Sequence, residues 1–179
     1  AIVAQSWAKQ TGSPRIEAYA ADRAACAYAA DGQADACRMA LDTAQSEVVR
    51  IKSDPNPQYQ YFYNESVFWG TMSDCALRLG DPDGALDTVS KSLPADTHNY
   101  VIRKLFHADA FVQKSEIPEA CRAIGEVIAL TPTYTSPRAD QRVTELRTAL
   151  TPWQHSKPVR ELDDVWAAYR RSPSGSATT

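Results

Sequence analysis

Apolar and small residues recur along this chain at intervals of three and four, the spacing that places side chains on one face of an α-helix. They do so in blocks parted by glycine and proline. Between Asn64 and Ser92, Trp69, Met72, Ser73 and Ala76 form one stripe, Gly80-Asp81-Pro82 interrupts it, and Ala85, Val89 and Ser92 begin another. Gly just past one helix and Pro opening the next is ordinary helix punctuation, so the stretch predicts one helical hairpin.

The pattern recurs. A shift of 35 residues carries Ala85 to Ala120, Val89 to Ile124 and Ser73 to Ala108, with Pro82 falling beside Ile117-Pro118. A backward shift of 49 carries Ala85 to Ala36, Val89 to Ala40, Ser73 to Ala24 and the turn to Asp31-Gly32. Small side chains therefore stand at two matched positions, one per helix, where neighbouring helices must approach closely. The longer step exceeds a period near 34 by about 15 residues. Ser53-Asp54-Pro55-Asn56-Pro57 and the tyrosines after it supply that insertion.

On these residues the middle hairpin resembles a tetratricopeptide repeat. Trp69 stands where that family favours an aromatic, with Ala20 and Lys104 in its place in the other hairpins, and Thr131-Pro132 closes the third where the consensus proline falls. The expected fold is all-α: a tetratricopeptide-like α-solenoid of three helical hairpins at about 15–52, 59–93 and 97–130. An additional N-terminal helix covers Ala1 to Gln10, capping helices cover about 137–151 and 158–170, and one domain spans 1–170 before a flexible tail at 171–179.

The C-terminal half carries a narrower resemblance. Pro118-Glu119-Ala120-Cys121, Ser136-Pro137-Arg138, Thr144-Glu145-Leu146-Arg147 and Pro158-Val159-Arg160-Glu161-Leu162-Asp163 are similar to the tail of actinobacterial regulators that join an Xre-type helix-turn-helix to tetratricopeptide-like repeats. In such proteins the repeats sense a ligand or partner, and DNA is bound only by the N-terminal domain. The resemblance implies a sensory module. The chain opens at Ala1 inside an apparent helix, which fits a fragment lacking that N-terminal part.

Composition narrows the classes. A 44% hydrophobic content with 23% charge suits one soluble domain, and a net charge of -3 argues against a nucleic-acid surface on these residues. No apolar run approaches the roughly 20 residues that span a bilayer, and no signal peptide opens the chain, so a cytoplasmic location is expected. His98, His107 and His155 lie apart, and no nucleophile elbow, P-loop or dinucleotide fingerprint occurs. Neither enzyme, cofactor nor metal is expected. Asp81-Pro82-Asp83-Gly84 reads as a turn and Asp163-Asp164 as a solvated helix face. Cys26 and Cys75 share one repeat position, Cys37 and Cys121 another, and no CxxC is present. All four are expected to be small packed residues whose oxidation state has no consequence.

Binding residues follow from the face opposite the small-residue stripe, since first helices line the concave groove of helical-repeat arrays. On the second hairpin these are Asn64, Val67, Thr71, Asp74 and Arg78; 35 residues on they are Asn99, Ile102, Phe106, Asp109 and Gln113. Asn can hydrogen-bond an extended backbone and Asp can meet an amine or guanidinium. At the 49-residue offset the first hairpin offers Arg15, Ala18, Asp22, Ala25 and Ala29 instead. The expected partner is a peptide, small metabolite or protein, with no membrane. The alternatives are a constitutive scaffold without switching, and a ligand- or dimer-facing wall of Tyr59, Tyr61 and Tyr63 that leaves a homodimer open.

Overall fold

The computed structural model describes residues 2–51, 63–92, 97–130 and 136–171, apart from the side chains of residues 2, 4 and 97–99. Every regular element among them is helical. In order they are α1 (Ile2–Gln10), α2 (Pro14–Ala30), α3 (Ala34–Arg50), α4 (Glu65–Arg78), α5 (Pro82–Lys91), α6 (Thr97–Gln113), α7 (Ile117–Leu130), α8 (Pro137–Ala149) and α9 (Lys157–Arg171), with a 3-10 turn at Thr151–Trp153. The loop at 52–62, the Thr131-Pro132 closure and residues 172–179 of the tail lie outside the described residues.

Helix starts follow local chemistry. Asp81 and Ser136 stand before Pro82 and Pro137, and their side chains accept from the N–H groups of Gly84 (2.9 Å) and Ala139 (3.4 Å). Each satisfies a donor that a helix end leaves open. Ser13 stands before Pro14 without such a side-chain bond into α2.

Three hairpins close through one turn. The N–H groups of Gln33, Asp81 and Glu116 donate to the carbonyls of Tyr28 (2.9 Å), Ala76 (2.9 Å) and Phe111 (2.8 Å). The residue before each donor has left-handed backbone: Gly32 at φ 71°, Gly80 at 76° and Ser115 at 59°. Glycine adopts this corner without steric cost; Ser115 does so against it. Because Gly32 and Gly80 occupy the same corner, the offset between the first two hairpins is 48 residues, not 49. The expected pairing of Gly80 with Asp31 is corrected by one position, and every equivalence drawn through it moves likewise. The 35-residue step to Ser115 stands.

The chain divides into two compact units, Ala1–Ser92 and Leu93–Thr179. In the first, α2 pairs with α3 and α4 with α5, while α4 also packs on α2 and α3, and α1 packs on α2. Arg15 reaches the Tyr63 carbonyl and Arg23 the Thr71 hydroxyl, both 48 residues away, so α2 and α4 run side by side in the same direction. Ala18, Ala21 and Ala25 on α2 are fully buried, which is what lets α4 approach. Within the second hairpin the Ser73 hydroxyl donates to the Ala85 carbonyl at 3.0 Å, both residues being buried.

In the second unit α7 packs between α6 and α9, and α8 packs on α6. The apolar core joins Val101, Leu105, Ile124, Val127, Val143, Leu146, Leu150 and Val159. Fully burying a side chain of this size stabilises by roughly 1.5–3 kcal/mol. Arg142 pairs with Asp109, Lys104 with Glu126 at 2.6 Å, and Arg147 holds both Asp163 oxygens through Nε and Nη2 of its guanidinium, tying α8 to α6, α6 to α7 and α8 to α9.

Candidate functional site

With the 48-residue offset, the face carrying Asn64, Val67, Thr71, Asp74 and Arg78 continues on α2 as Ile16, Tyr19, Arg23, Cys26 and Ala30. Arg15, Ala18, Asp22, Ala25 and Ala29, expected to line that part of the groove, are instead buried in the seam against α4. The cause is the one-residue shift, which turns a helix by about 100° and exchanges an outward face for a packed one.

Asp22 organises the seam. Its carboxylate is fully buried and accepts from the Tyr63 hydroxyl at 3.1 Å, the Thr71 hydroxyl at 3.0 Å and the Arg23 guanidinium at 3.1 Å. Burial nevertheless pushes its pKa above the usual carboxylate value, against the hydrogen bonds and charge that pull it down. Burial and the adjoining Asp22 carboxylate push the Tyr63 hydroxyl up as well.

Arg23 joins this seam to a cleft. Half-exposed, it stands over the Tyr19 ring at 5.6 Å and donates to Thr71 at 3.1 Å. The cleft holds about 410 Å³ and is walled by Trp7 and Ala8 of α1 and by Ile16, Tyr19, Ala20, Arg23, Ala24 and Ala27 of α2. Trp7 is 67% exposed at its rim, and among the described residues Arg23 is its one charged lining residue. An apolar cleft with a single guanidinium suits a small molecule with a flat hydrophobic body and an acceptor or anionic group.

Of the first five expected groove residues, Asn64 caps α4, its side chain accepting from the Val67 N–H at 3.0 Å. Val67 packs half-buried on the core, Thr71 is bound to Asp22 and Arg23, and Asp74 pairs with Arg78 at 2.9 Å. Asn64→Ala is expected to cost about 0.5–2 kcal/mol, the value of an N-cap, rather than the near-zero of a surface change. A urea melt checks it.

The other five lie on α6. Ile102 is half-buried on the core and Phe106 is buried, its ring 5.8 Å from the Arg103 guanidinium. Asp109 meets Arg142 of α8, and the Gln113 amide donates to Asp109 at 3.4 Å. Asn99 falls in α6, its side chain outside those described. Tyr59 and Tyr61 of the alternative wall lie outside the described residues, and Tyr63 is buried. Half-buried His107 stacks on Phe111, and burial lowers its pKa. Among the described residues no group of His, Cys, Asp and Glu could hold a metal ion.

Sequence reasoning missed the α1 wall and the roles of Tyr19, Arg23 and Cys26. Matching Gly32 to Gly80 would have found the last three; nothing in the periodicity marks Trp7 as facing α2. Comparison of the chain with protein-family models, curated proteins and solved structures gave no match.

Proposed function

We propose that the chain is a ligand-binding helical module and that its ligand is a small apolar molecule with an anionic or acceptor group. The observation that carries this reading is the apolar cleft between α1 and α2 whose charged wall, Arg23, also bonds the buried Asp22–Thr71 pair. A ligand that draws on Arg23 competes with Asp22, so occupancy alters the seam between two hairpins. The C-terminal motifs that resemble Xre-type regulators support giving this module a sensory role in transcription control, with DNA bound through a separate helix-turn-helix.

The aromatic sulfonate 1-anilinonaphthalene-8-sulfonate is a direct probe, having fused rings and one anion. Binding with saturable fluorescence is expected, and Trp7→Ala should weaken it about tenfold, the loss of roughly 1.4 kcal/mol from a large aromatic contact. Met39→Ala, at a 71% exposed position on α3, is the control. Equal affinity in both variants would remove the cleft from the proposal. The regulatory half is tested by reading the coding sequence upstream of Ala1, where an unrelated domain would overturn it.

A further inference from the structure

The seam of the first unit gathers three of the chain's four thiols. Cys26 on α2, Cys37 on α3 and Cys75 on α4 share one cluster with Ala24, Ala25, Ala29 and Ala40, whose small side chains bring the three helices together. Cys75 interacts with both other thiols. Cys26 and Cys75 stand one helical turn beyond Asp22 and Thr71, the same 49 residues apart as that 3.0 Å hydrogen-bonded pair. On helices running in one direction, a step of four residues on each restores the same neighbours.

Surroundings distinguish the three. Cys37 and Cys75 are buried, and Cys26 is partly open to solvent. The Cys75 thiol and then the Arg23 guanidinium favour the Cys26 thiolate, against burial and the Asp22 and Asp74 carboxylates, and the balance lowers its pKa. Burial raises that of Cys37; the neighbouring Cys26 and then burial raise that of Cys75. The nucleophilic form is therefore favoured at the one residue of the three that is partly open to solvent.

We propose that Cys26 and Cys75 are an oxidant-responsive pair, in which a hydroperoxide oxidises Cys26 and Cys75 closes a disulfide that staples α2 to α4. In the first step the Cys26 thiolate attacks a peroxide oxygen: an S–O bond forms, the O–O bond breaks, and the departing hydroxide or alkoxide takes a proton from solvent. In the second the Cys75 sulfur attacks the sulfenic acid: the S–S bond forms, the S–O bond breaks, and hydroxide leaves with the Cys75 proton as water. One peroxide is reduced by two electrons and two thiols are oxidised. This departs, at Cys26 and Cys75, from the expectation that all four thiols are inert, which rested on their repeat-packing positions and the absence of a CxxC.

The test is to treat the full chain with hydrogen peroxide, quench by alkylation under denaturing conditions, and map the peptides by mass spectrometry. Alkylatable thiols should fall from four to two, with one intramolecular Cys26–Cys75 crosslink. Cys37→Ala and Cys121→Ala should keep that crosslink, and Cys26→Ser should abolish it. In Cys75→Ser the Cys26 sulfenic acid should persist and be trapped by dimedone; the wild-type map stands even where that variant misfolds. Four surviving thiols, a Cys37–Cys75 link, an intermolecular link, or oxidised Cys26 beside free Cys75 would each overturn the proposal.

Discussion

Asp22→Ala is expected to lower the stability of the first unit by about 2–6 kcal/mol, the cost of leaving the Tyr63 and Thr71 hydroxyls without their acceptor, while half-exposed Arg23 turns to solvent and adds little. The substitution strips the acceptor from Tyr63 and Thr71, whose hydroxyls lie inside the seam, and each buried donor left open costs roughly 1–3 kcal/mol. Asp22→Asn keeps the shape and one acceptor oxygen, and should fall well short of that loss. The pH dependence separates charge from shape. Because burial raises Asp22 above its ordinary value, the folded state holds that proton more tightly than the unfolded chain. Its contribution falls as pH rises from the usual carboxylate range through the folded value, and acid restores it. Lowered Glu126, held down first by Lys104, has the opposite sign: it stabilises above its ordinary value and loses that as pH falls. Wild type should therefore gain on Asp22→Asn as pH drops from neutrality towards the carboxylate range in paired urea melts. A difference that does not move with pH would contradict an Asp22 pKa raised by burial.

In the second unit, Ile124→Ala should cost about 2–5 kcal/mol. Ile124 has no exposed surface and sits in the cluster to which α6, α7, α8 and α9 all contribute, so a cavity there has walls on several helices. Side chains anchored on different elements cannot collapse together into the gap, which places the cost towards the upper half of that range. Ile124→Val, removing one methylene, should cost about 0.5–1.5 kcal/mol. Circular dichroism through a urea titration measures both; equal midpoints for Ile124→Ala and wild type would mean that the cluster does not hold this unit together.

The helical class and the hairpin turns were legible in the chain because glycine, proline and the small-residue stripe act locally. Gly80-Asp81-Pro82 marks its corner with residues whose backbone limits are intrinsic, and Asp81 caps α5 as its position suggests. The candidate site was less legible because it depends on register. Alanine dominates α2, with Ala18, Ala20, Ala21, Ala24, Ala25 and Ala27 in succession, so a one-residue slide barely changes the apolar pattern while it exchanges Asp22 for Arg23 on the outward face. Only the left-handed corner at Gly32 fixes the slide, and Ser115 in the third hairpin shows that the corner need not be glycine. Asn64 matched Asn99 at a spacing that suggested recognition, yet a cap makes the same demand for a short polar side chain. The cleft needs Trp7, which lies on α1, outside the three hairpins.

The 48-residue contacts also constrain how the first two hairpins can change over time. Arg15 meets the residue at its own counterpart position, Tyr63, and Arg23 meets Thr71, its counterpart one hairpin on. In an array grown by copying, each seam position first faces an identical twin, and identical arginines or aspartates there would repel at close range. Divergence is then favoured at the positions where copies touch, and a cation beside a hydroxyl or carbonyl is one way to relieve the conflict. Likeness between hairpins should survive in the turns and vanish first along the seam.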